Sequence, residues 1–230
     1  MQIFCFTHAG GYARFYNNLE TEAPNLSFEK IEYSGHGKRA KEPLCTNINE
    51  MVDDVYKMFV DRYKGGSYSM MGYSMGCIVM TELLSRIVIS KTISNPESVF
   101  IAACSPISRI GLSEKLSDEM DQWIENRIRQ YGQVPNNDLM ERMFWKMYMP
   151  LYRADYSIIR NYDFEKLQLR TEIPLTVFYS EDDTPRHRIE EWKRYFIGIC
   201  DYYQFEGGHF FINEYYKEIA KIIELKTNTT

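Results

Sequence analysis

The sequence YSMMGYSMGCIVMTELLSRIVI occupies residues 68–89 and decides the fold of the chain. Its first six residues predict a strand, and residues 75–89 predict a helix. Between them stands the pattern G-x-S-x-G, from Gly72 to Gly76. This pattern is typical of a sharp turn from strand to helix, where small residues on either side of the serine let both elements approach closely. Such a turn would expose the hydroxyl of Ser74 at the positive end of the helix, so Ser74 is the predicted nucleophile.

Strands and helices are predicted to alternate along most of the chain. The predicted strands cover residues 3–7, 28–33, 68–73, 98–104, 175–180 and 202–205. The predicted helices cover residues 48–63, 75–89, 186–196 and 213–225. Because this alternation implies crossover connections, we expect an α/β fold with a mostly parallel sheet flanked by helices.

One segment, from about residue 107 to residue 168, contains no convincing strand. Its turn residues interrupt helical patterns, the clearest of which is the i, i+3, i+4, i+7 spacing of Met140, Met143, Phe144 and Met147. We predict that this segment is a helical insertion in a single domain formed by residues 1–230.

An activated serine needs a base, and the chain contains four histidines. His209 lies in the sequence EGGHFF, directly after the last predicted strand, and it follows the nucleophile as this class of fold requires. His8 and His36 precede the nucleophile, whereas His187 falls inside a predicted helix. His209 is therefore the predicted base.

The acid that orients the base is expected at the exit of the strand predicted at residues 175–180. Asp183 is the better placed carboxylate there, and its neighbour Asp182 is the alternative. Such a carboxylate fixes the tautomer of the imidazole and stabilises the imidazolium.

An oxyanion hole needs two backbone N–H donors. The residue after the nucleophile, Met75, supplies one. The loop after the first strand, Thr7-His8-Ala9-Gly10-Gly11, is expected to supply the other, from Ala9 or, as the second choice, from Gly10.

The chain's overall composition excludes several classes of protein. Its 27 basic and 32 acidic residues give a formal net charge of −5, which argues against a general nucleic-acid binder. No segment has the roughly 18 apolar residues of a membrane span, and the N-terminus lacks the basic region of a signal peptide. The cysteines are odd in number and never spaced C-x-x-C, and they are Cys5, Cys45, Cys77, Cys104 and Cys200. We therefore expect reduced thiols in the cytoplasm and neither disulfides nor a metal site.

Taken together, these motifs resemble those of the type II thioesterases that accompany nonribosomal peptide and polyketide synthases. The resemblance covers nearly the whole chain and rests on the sequences FTHAGG (6–11), SGHGKRAKEP (34–43), GYSMG (72–76), YGQVP (131–135), LYRADY (151–156) and GGHFF (207–211). Three residues depart from the family pattern: Ser34 stands for proline, Tyr73 for histidine and Ser180 for glycine.

The resemblance implies an α/β-hydrolase fold, a triad of Ser74, Asp183 and His209, and hydrolysis of acyl thioesters on the phosphopantetheine arm of a carrier protein. Such enzymes remove stalled or wrong acyl groups from a synthase. It implies no cofactor, and we expect a monomer with acyl or peptidyl carrier domains as its partners. Two other functions stay open: an esterase or acyltransferase of the same fold that acts on small esters, and a catalytically silent binding protein.

The insertion is expected to act as the lid of this enzyme. Flexible, polarizable methionines suit a pocket for several acyl chains, so the candidate substrate contacts are Met120, Met143, Phe144 and Met147. Basic residues of the lid are candidates for contact with an acidic carrier protein, namely Arg127, Arg129, Arg142, Lys146 and Arg153.

Overall fold

A computed structural model describes residues 1–107 and 119–228, and within them six strands form one parallel sheet. The strands are β1 (Gln2–Phe6), β2 (Ser27–Lys30), β3 (Tyr68–Tyr73), β4 (Ser98–Ala102), β5 (Leu175–Tyr179) and β6 (Cys200–Gln204). Their order across the sheet is β2-β1-β3-β4-β5-β6, and every neighbouring pair is parallel. The prediction of a mostly parallel α/β fold is therefore confirmed.

Helices cover both faces of the sheet. They are α1 (Asn17–Glu22), α2 (Ile48–Arg62), α3 (Met75–Ser90), α4 (Met120–Gln130), α5 (Asp138–Asn161), α6 (Arg186–Ile189) and α7 (Ile212–Asn228). Four short 3₁₀ turns join them among the described residues, at Ala13–Tyr16, Gly37–Arg39, Phe164–Lys166 and Glu190–Arg194. None of the helices in the described part of the chain is both long and apolar enough to cross a membrane.

Side chains of β1, β3, β4 and β5 alternate between two apolar layers, as the period of a strand requires. In β1, Phe4 points into a layer that also holds residues of α2, α3, α4 and α5. Its neighbours Ile3 and Cys5 point into the opposite layer, which α1 and α7 cover. All five residues of β1 are buried, so the central strands are apolar on both faces.

The helix predicted at residues 186–196 is α-helical only in its first four residues. The structure has one short α-helical turn, α6, followed by a 3₁₀ segment at Glu190–Arg194. A repeat of three residues per turn places Ile189, Trp192 and Tyr195 on one face, and all three are buried.

The lid segment enters the sheet between β4 and β5. Its described part holds α4, α5 and one 3₁₀ turn, whereas residues 108–118 lie outside the described residues. Helix α5 buries Met149, Tyr152 and Tyr156 against the body of the protein. The organisation as one domain with an insertion over residues 107–168 stays a prediction.

The contact between α3 and β1 is so close that adding a methyl group at Gly76 should destabilise the fold. A Cβ atom on Gly76 would lie 2.0 Å from the backbone oxygen of Phe6. Helix propensity alone favours Gly76→Ala by about 1 kcal/mol, but overpacking of this kind costs about 1–3 kcal/mol or more. We therefore expect Gly76→Ala to lower the free energy of unfolding, measured by urea denaturation.

Gly208→Ala is the matched control, because a Cβ atom there has no heavy atom within 4 Å. A Gly76→Ala variant as stable as the wild type or the Gly208→Ala variant would contradict the expectation.

Candidate active site

The serine of the G-x-S-x-G pattern sits in a strained backbone conformation at the turn from β3 to α3. Ser74 has φ 54° and ψ −118°, a region that residues other than glycine rarely adopt. Its N–H donates to the carbonyl of Ala102 at 2.9 Å, which ties the turn to β4. On the strand side, a Cβ atom on Gly72 would lie 2.7 Å from the Cα atom of Cys77, so the turn has no room for a larger residue there.

Three predicted side chains meet at this turn. His209 Nε2 lies 2.9 Å from the hydroxyl oxygen of Ser74, and His209 Nδ1 lies 2.9 Å from Asp183 Oδ1. The side chains of His209 and Asp183 are almost fully buried. The hydroxyl of Thr184 donates to the second oxygen of Asp183 at 3.1 Å. The arrangement suits a nucleophile, a base and an acid that orients the base.

The alternatives to these residues lie elsewhere. Asp182, the alternative acid, is exposed to solvent, and so is His187 on α6. His8 packs against the rings of Phe15 and Phe210, and burial lowers its pKa to about 4. His8 is therefore neutral at physiological pH and acts as a packing residue within the oxyanion loop.

Neither of the two predicted oxyanion donors, the amides of Ala9 and Met75, is bonded to another acceptor among residues 1–107 and 119–228. Met75 begins α3, where a backbone N–H has no acceptor within the helix. Among the described residues, the N–H of Ala9 also donates to no other group. By contrast, the N–H of Gly10 donates to Asp155 Oδ2 at 2.7 Å. This bond removes Gly10 from consideration and leaves Ala9 and Met75 as the candidate pair.

A buried ion pair holds the oxyanion loop against the lid. His36 Nε2 lies 2.9 Å from Asp155 Oδ2, the same oxygen that accepts from Gly10, and both side chains are 1% exposed. His36 Nδ1 faces the carbonyl of Ser34 at 3.0 Å. Burial acts to lower the pKa of His36, but the charge and hydrogen bond of Asp155, with the Ser34 carbonyl, outweigh it and raise the pKa above its usual value.

Each of the three departures from the family pattern forms a hydrogen bond at this site or next to it. The hydroxyl of Tyr73 donates to the carbonyl of His209, and the hydroxyl of Ser180 donates to the carbonyl of Gly207. Both bonds fix the loop that carries the base. The hydroxyl of Ser34 donates to the carbonyl of Pro43 at 2.7 Å and closes the loop around His36.

A cavity of about 680 Å³ opens over the serine. The body of the protein contributes Ser74, Met75, Ile78, Asp183 and His209 to its wall. The other lining residues come from the lid, from its flanks and from α6, and they are Ala103, Cys104, Ser105, Ile107, Trp123, Arg127, Tyr131, Tyr156, Ile159, Tyr162, Phe164, Thr184 and Arg188. This volume suits a small or medium-sized organic group.

None of the four lid residues predicted to contact substrate lines this cavity. Met143 and Met147 are each 60% exposed on the outer face of α5. Met120 and Phe144 pack against the apolar layer instead. Helical spacing identifies the apolar positions of a helix but not what they contact, so the role of these four residues in substrate binding stays a prediction.

Three residues in α4 or directly after it line the cavity but are not among the predicted substrate contacts, and one of them, Arg127, is predicted above to contact the carrier protein. Trp123, Arg127 and Tyr131 follow one another at intervals of four and therefore share one face of the helix. The ring of Tyr131 stacks on that of His209, with centroids 4.4 Å apart and an interplanar angle of 12°. The spacing of these three residues was visible in the sequence, and it was the signal that could have identified them.

The described residues contain no group of three or more histidine, cysteine, aspartate or glutamate side chains that could hold a metal ion. His209 can take the proton of Ser74, the serine oxygen can attack a carbonyl, and the Ala9 and Met75 amides can bind the oxyanion.

Comparison with known proteins gives one family. The family model for the thioesterase domain matches residues 1–227. The thioesterase PikA5 of Streptomyces venezuelae is 22% identical over 97% of this chain and 79% of its own. The medium-chain S-acyl fatty acid synthase thioesterase of Rattus norvegicus is 22% identical over 99% of this chain and 90% of its own.

Among solved structures, that of ClbQ from the colibactin NRPS/PKS pathway matches with a TM-score of 0.88 at 22% identity, over 99% of this chain and 97% of that one. The type II thioesterase BorB from the borrelidin biosynthetic cluster matches with a TM-score of 0.83 at 24% identity, over 98% and 92% of the two chains. These structures share the α/β-hydrolase fold with the present chain.

The ion pair between His36 and Asp155 makes stability depend on pH. A histidine whose pKa is higher in the folded than in the unfolded state stabilises the fold fully below the unfolded pKa of about 6.5, and this contribution is lost as the pH rises through the folded pKa. We expect His36→Gln to cost about 3–5 kcal/mol at the acidic end. The cost should shrink as the pH rises above about 6.5.

Urea denaturation of the wild type and of His36→Gln, at pH values below and above about 6.5, measures the difference in their free energies of unfolding. His187→Gln replaces an exposed histidine and serves as the control, with little effect at any pH. If His36→Gln lowered the free energy of unfolding by the same amount at every pH, the expected loss of the ion pair at higher pH would be contradicted.

Proposed function

The chain belongs to the thioesterase family, and we propose that it hydrolyses acyl thioesters carried on the phosphopantetheine arms of carrier proteins. The observation that carries the proposal is the hydrogen-bonded series of Ser74, His209 and Asp183 at the wall of the cavity. In a biosynthetic synthase this activity would remove stalled or wrong acyl groups.

In the first half of the proposed reaction, the oxygen of Ser74 attacks the thioester carbonyl while His209 accepts its proton. The negative oxygen of the tetrahedral intermediate accepts hydrogen bonds from the amides of Ala9 and Met75. When the intermediate collapses, the carbon–sulfur bond breaks and His209 returns the proton to the departing thiol. In the second half, His209 activates a water molecule, which releases the acid and restores the serine.

The chemistry of a thioester determines which step of the reaction the site must accelerate most. A thiol with a pKa of about 8.5 leaves readily, so addition to the carbonyl should dominate the barrier. Stabilisation of the oxyanion is then the largest contribution, and removal of one donor would cost about 10²–10³ in turnover. No cofactor is needed, because the chain supplies all reacting groups and the phosphopantetheine arrives with the substrate.

The relatives support the biosynthetic setting. The solved structure of ClbQ is described as part of an NRPS/PKS pathway, and that of BorB as a type II thioesterase of a biosynthetic cluster. Both cover nearly all of this chain, lid helices included. We further propose a cytoplasmic monomer, in which the five cysteines, all free in the structure, stay reduced.

Hydrolysis of acetyl-phosphopantetheinyl carrier protein tests the proposal. Ser74→Ala should lower turnover at least about a thousandfold, and Asp183→Asn about 10⁴-fold, because the second change leaves the imidazole in the wrong tautomer. The rate of free thiol release measures both.

Asp182→Asn removes the adjacent exposed carboxylate and should behave like the wild type. Equal acetyl release by wild type and Ser74→Ala would refute the proposal. A preference of tenfold or more for a small nitrophenyl ester would instead favour an esterase.

For the partner, we propose that the carrier protein docks on the outer face of α5. Leu139, Met140, Met143 and Met147 are each about 60% exposed there and form an apolar stripe, which we call the methionine stripe. An exposed apolar stripe of this kind on a monomer is typical of an interaction site. Methionine adapts its shape to different partners, which suits a protein that meets several carriers.

The charges around the methionine stripe select an acidic partner. Arg129 is paired with Glu141, and Arg153 is paired with Asp121. Arg127 lines the cavity. This leaves Arg142 and Lys146 as the exposed lid cations with no ion pair among the described residues, and both lie on α5 beside the stripe.

Reversal of these two charges tests the docking surface. The double variant Arg142→Glu with Lys146→Glu should raise KM for acetyl carrier protein by about tenfold or more at low salt. Added salt should raise KM of the wild type but lower KM of the variant, because salt screens attraction in the first and repulsion in the second. Hydrolysis of free acetyl-pantetheine should not change, because that substrate has no protein surface.

Lys217→Glu with Lys221→Glu is the matched control. It reverses two exposed lysines at the same spacing on α7, which covers the opposite face of the sheet. An equal increase in KM for both double variants would mean that net charge matters and that α5 is not the docking site.

A further inference from the structure

Arg127, a cation in the wall of the catalytic cavity, has no charged partner in the described structure. Arg127 lines the cavity from α4, and its Nε atom is shielded from solvent without a hydrogen bond to any described residue. Buried donors are nearly always satisfied, so an unsatisfied one calls for an explanation. A charged donor at the wall of a substrate cavity is explained most simply by an acceptor on the substrate.

Aromatic rings hold the guanidinium in place without using its hydrogen bonds. Its central carbon lies 6.0 Å from the ring centroid of Trp123 and 5.2 Å from that of Tyr131. Cation–π contacts engage the face of the guanidinium, whereas its five N–H donors lie in its plane. The rings therefore orient the group and leave its in-plane donors available for a carboxylate.

The same residues place the guanidinium near the reacting atoms. The ring of Tyr131 contacts both His209, with centroids 4.4 Å apart, and Arg127, whose central carbon lies 5.2 Å from the ring centroid. The phosphate of the pantetheine arm is separated from the thioester by the whole length of that arm. The acyl chain begins at the thioester carbon itself, so its far end matches the position of Arg127 better.

The charge balance of the cavity also favours an anion. Asp183 is the acidic residue among the described lining residues, and its two oxygens are already bonded to His209 and Thr184. Arg188, the second arginine of the wall, has no ion pair within the described chain. An acyl carboxylate that left water for this cavity would meet an oriented cation, which offsets its desolvation.

We propose that Arg127 binds a carboxylate at the free end of the acyl group, so that monothioesters of dicarboxylic acids are substrates of this site. The inference rests on the proposed thioesterase function and adds a substrate class to it. Arg127 acts in specificity and takes no part in the chemical step.

The test compares kcat/KM for malonyl, succinyl and glutaryl pantetheine with that for uncharged butyryl pantetheine. Arg127→Gln should lower kcat/KM for the best dicarboxylic substrate by about ten- to a hundredfold, as expected for the loss of one charge-assisted hydrogen bond. It should change kcat/KM for the butyryl thioester little. Arg127→Lys should restore part of the loss. The control is Arg170→Gln, which removes an exposed arginine that does not line the cavity.

An equal loss on charged and uncharged thioesters, or no loss, would overturn the proposal. Butyryl phosphopantetheine is compared in parallel with butyryl pantetheine. If Arg127→Gln impairs only the phosphorylated substrate, the anion is the arm phosphate and the assignment to the acyl group is wrong.

A binding measurement separates this proposal from the proposed function. In the Ser74→Ala background, calorimetry with the non-hydrolysable amide analogues of succinyl and butyryl pantetheine should show that Arg127→Gln weakens only the succinyl compound, by a similar factor. This result is independent of turnover. Failure of wild type to hydrolyse any thioester would reject the function, and equal weakening of both analogues would reject the role of Arg127.

Discussion

The close approach of α3 to the sheet is the constraint on which the site depends. The backbone of α3 at Gly76 lies so near Phe6 that no side chain fits between them. This proximity forces the chain to turn sharply at Ser74 and holds that residue in a conformation with positive φ. The strain is tolerated because hydrogen bonds and packing on both sides over-determine the turn. The hydroxyl is thereby held clear of the sheet and within reach of His209.

The second requirement is a rigid loop for the base, and in this chain residues that differ from the family pattern hold that loop. Two of its departures from the family pattern, Tyr73 and Ser180, donate hydrogen bonds to backbone carbonyls of the loop that carries His209. Stacking of Tyr131 restrains the ring from the lid side. Residues that only depart from a motif in the sequence thus contribute to the position of the imidazole, and the motif itself cannot show this.

Much of the body could be predicted from the sequence. The strands and the turn at Ser74 have strong local signals, and chain order selects His209 and Asp183 because strands of a parallel sheet end at one edge. The lid was less predictable. Its helical spacing was clear, but periodicity does not reveal which face another element covers. The spacing drew attention to Met143 and Met147, which are exposed, whereas Trp123, Arg127 and Tyr131 reach the cavity. The bond between Gly10 and Asp155 joins positions 145 residues apart, beyond any local pattern.

That bond also has a thermodynamic consequence. One oxygen of Asp155, on a helix of the lid, accepts hydrogen bonds from both His36 and the loop that carries Ala9. Helix α5 cannot move away from the body without releasing the Gly10 amide and leaving a buried histidine without its counter-ion. Seating of the lid and ordering of the oxyanion loop therefore share one free energy, and by reciprocity whatever favours one favours the other. A partner that pressed α5 onto the sheet would at the same time raise the population of chains whose amides are arranged for the reaction, without touching the substrate.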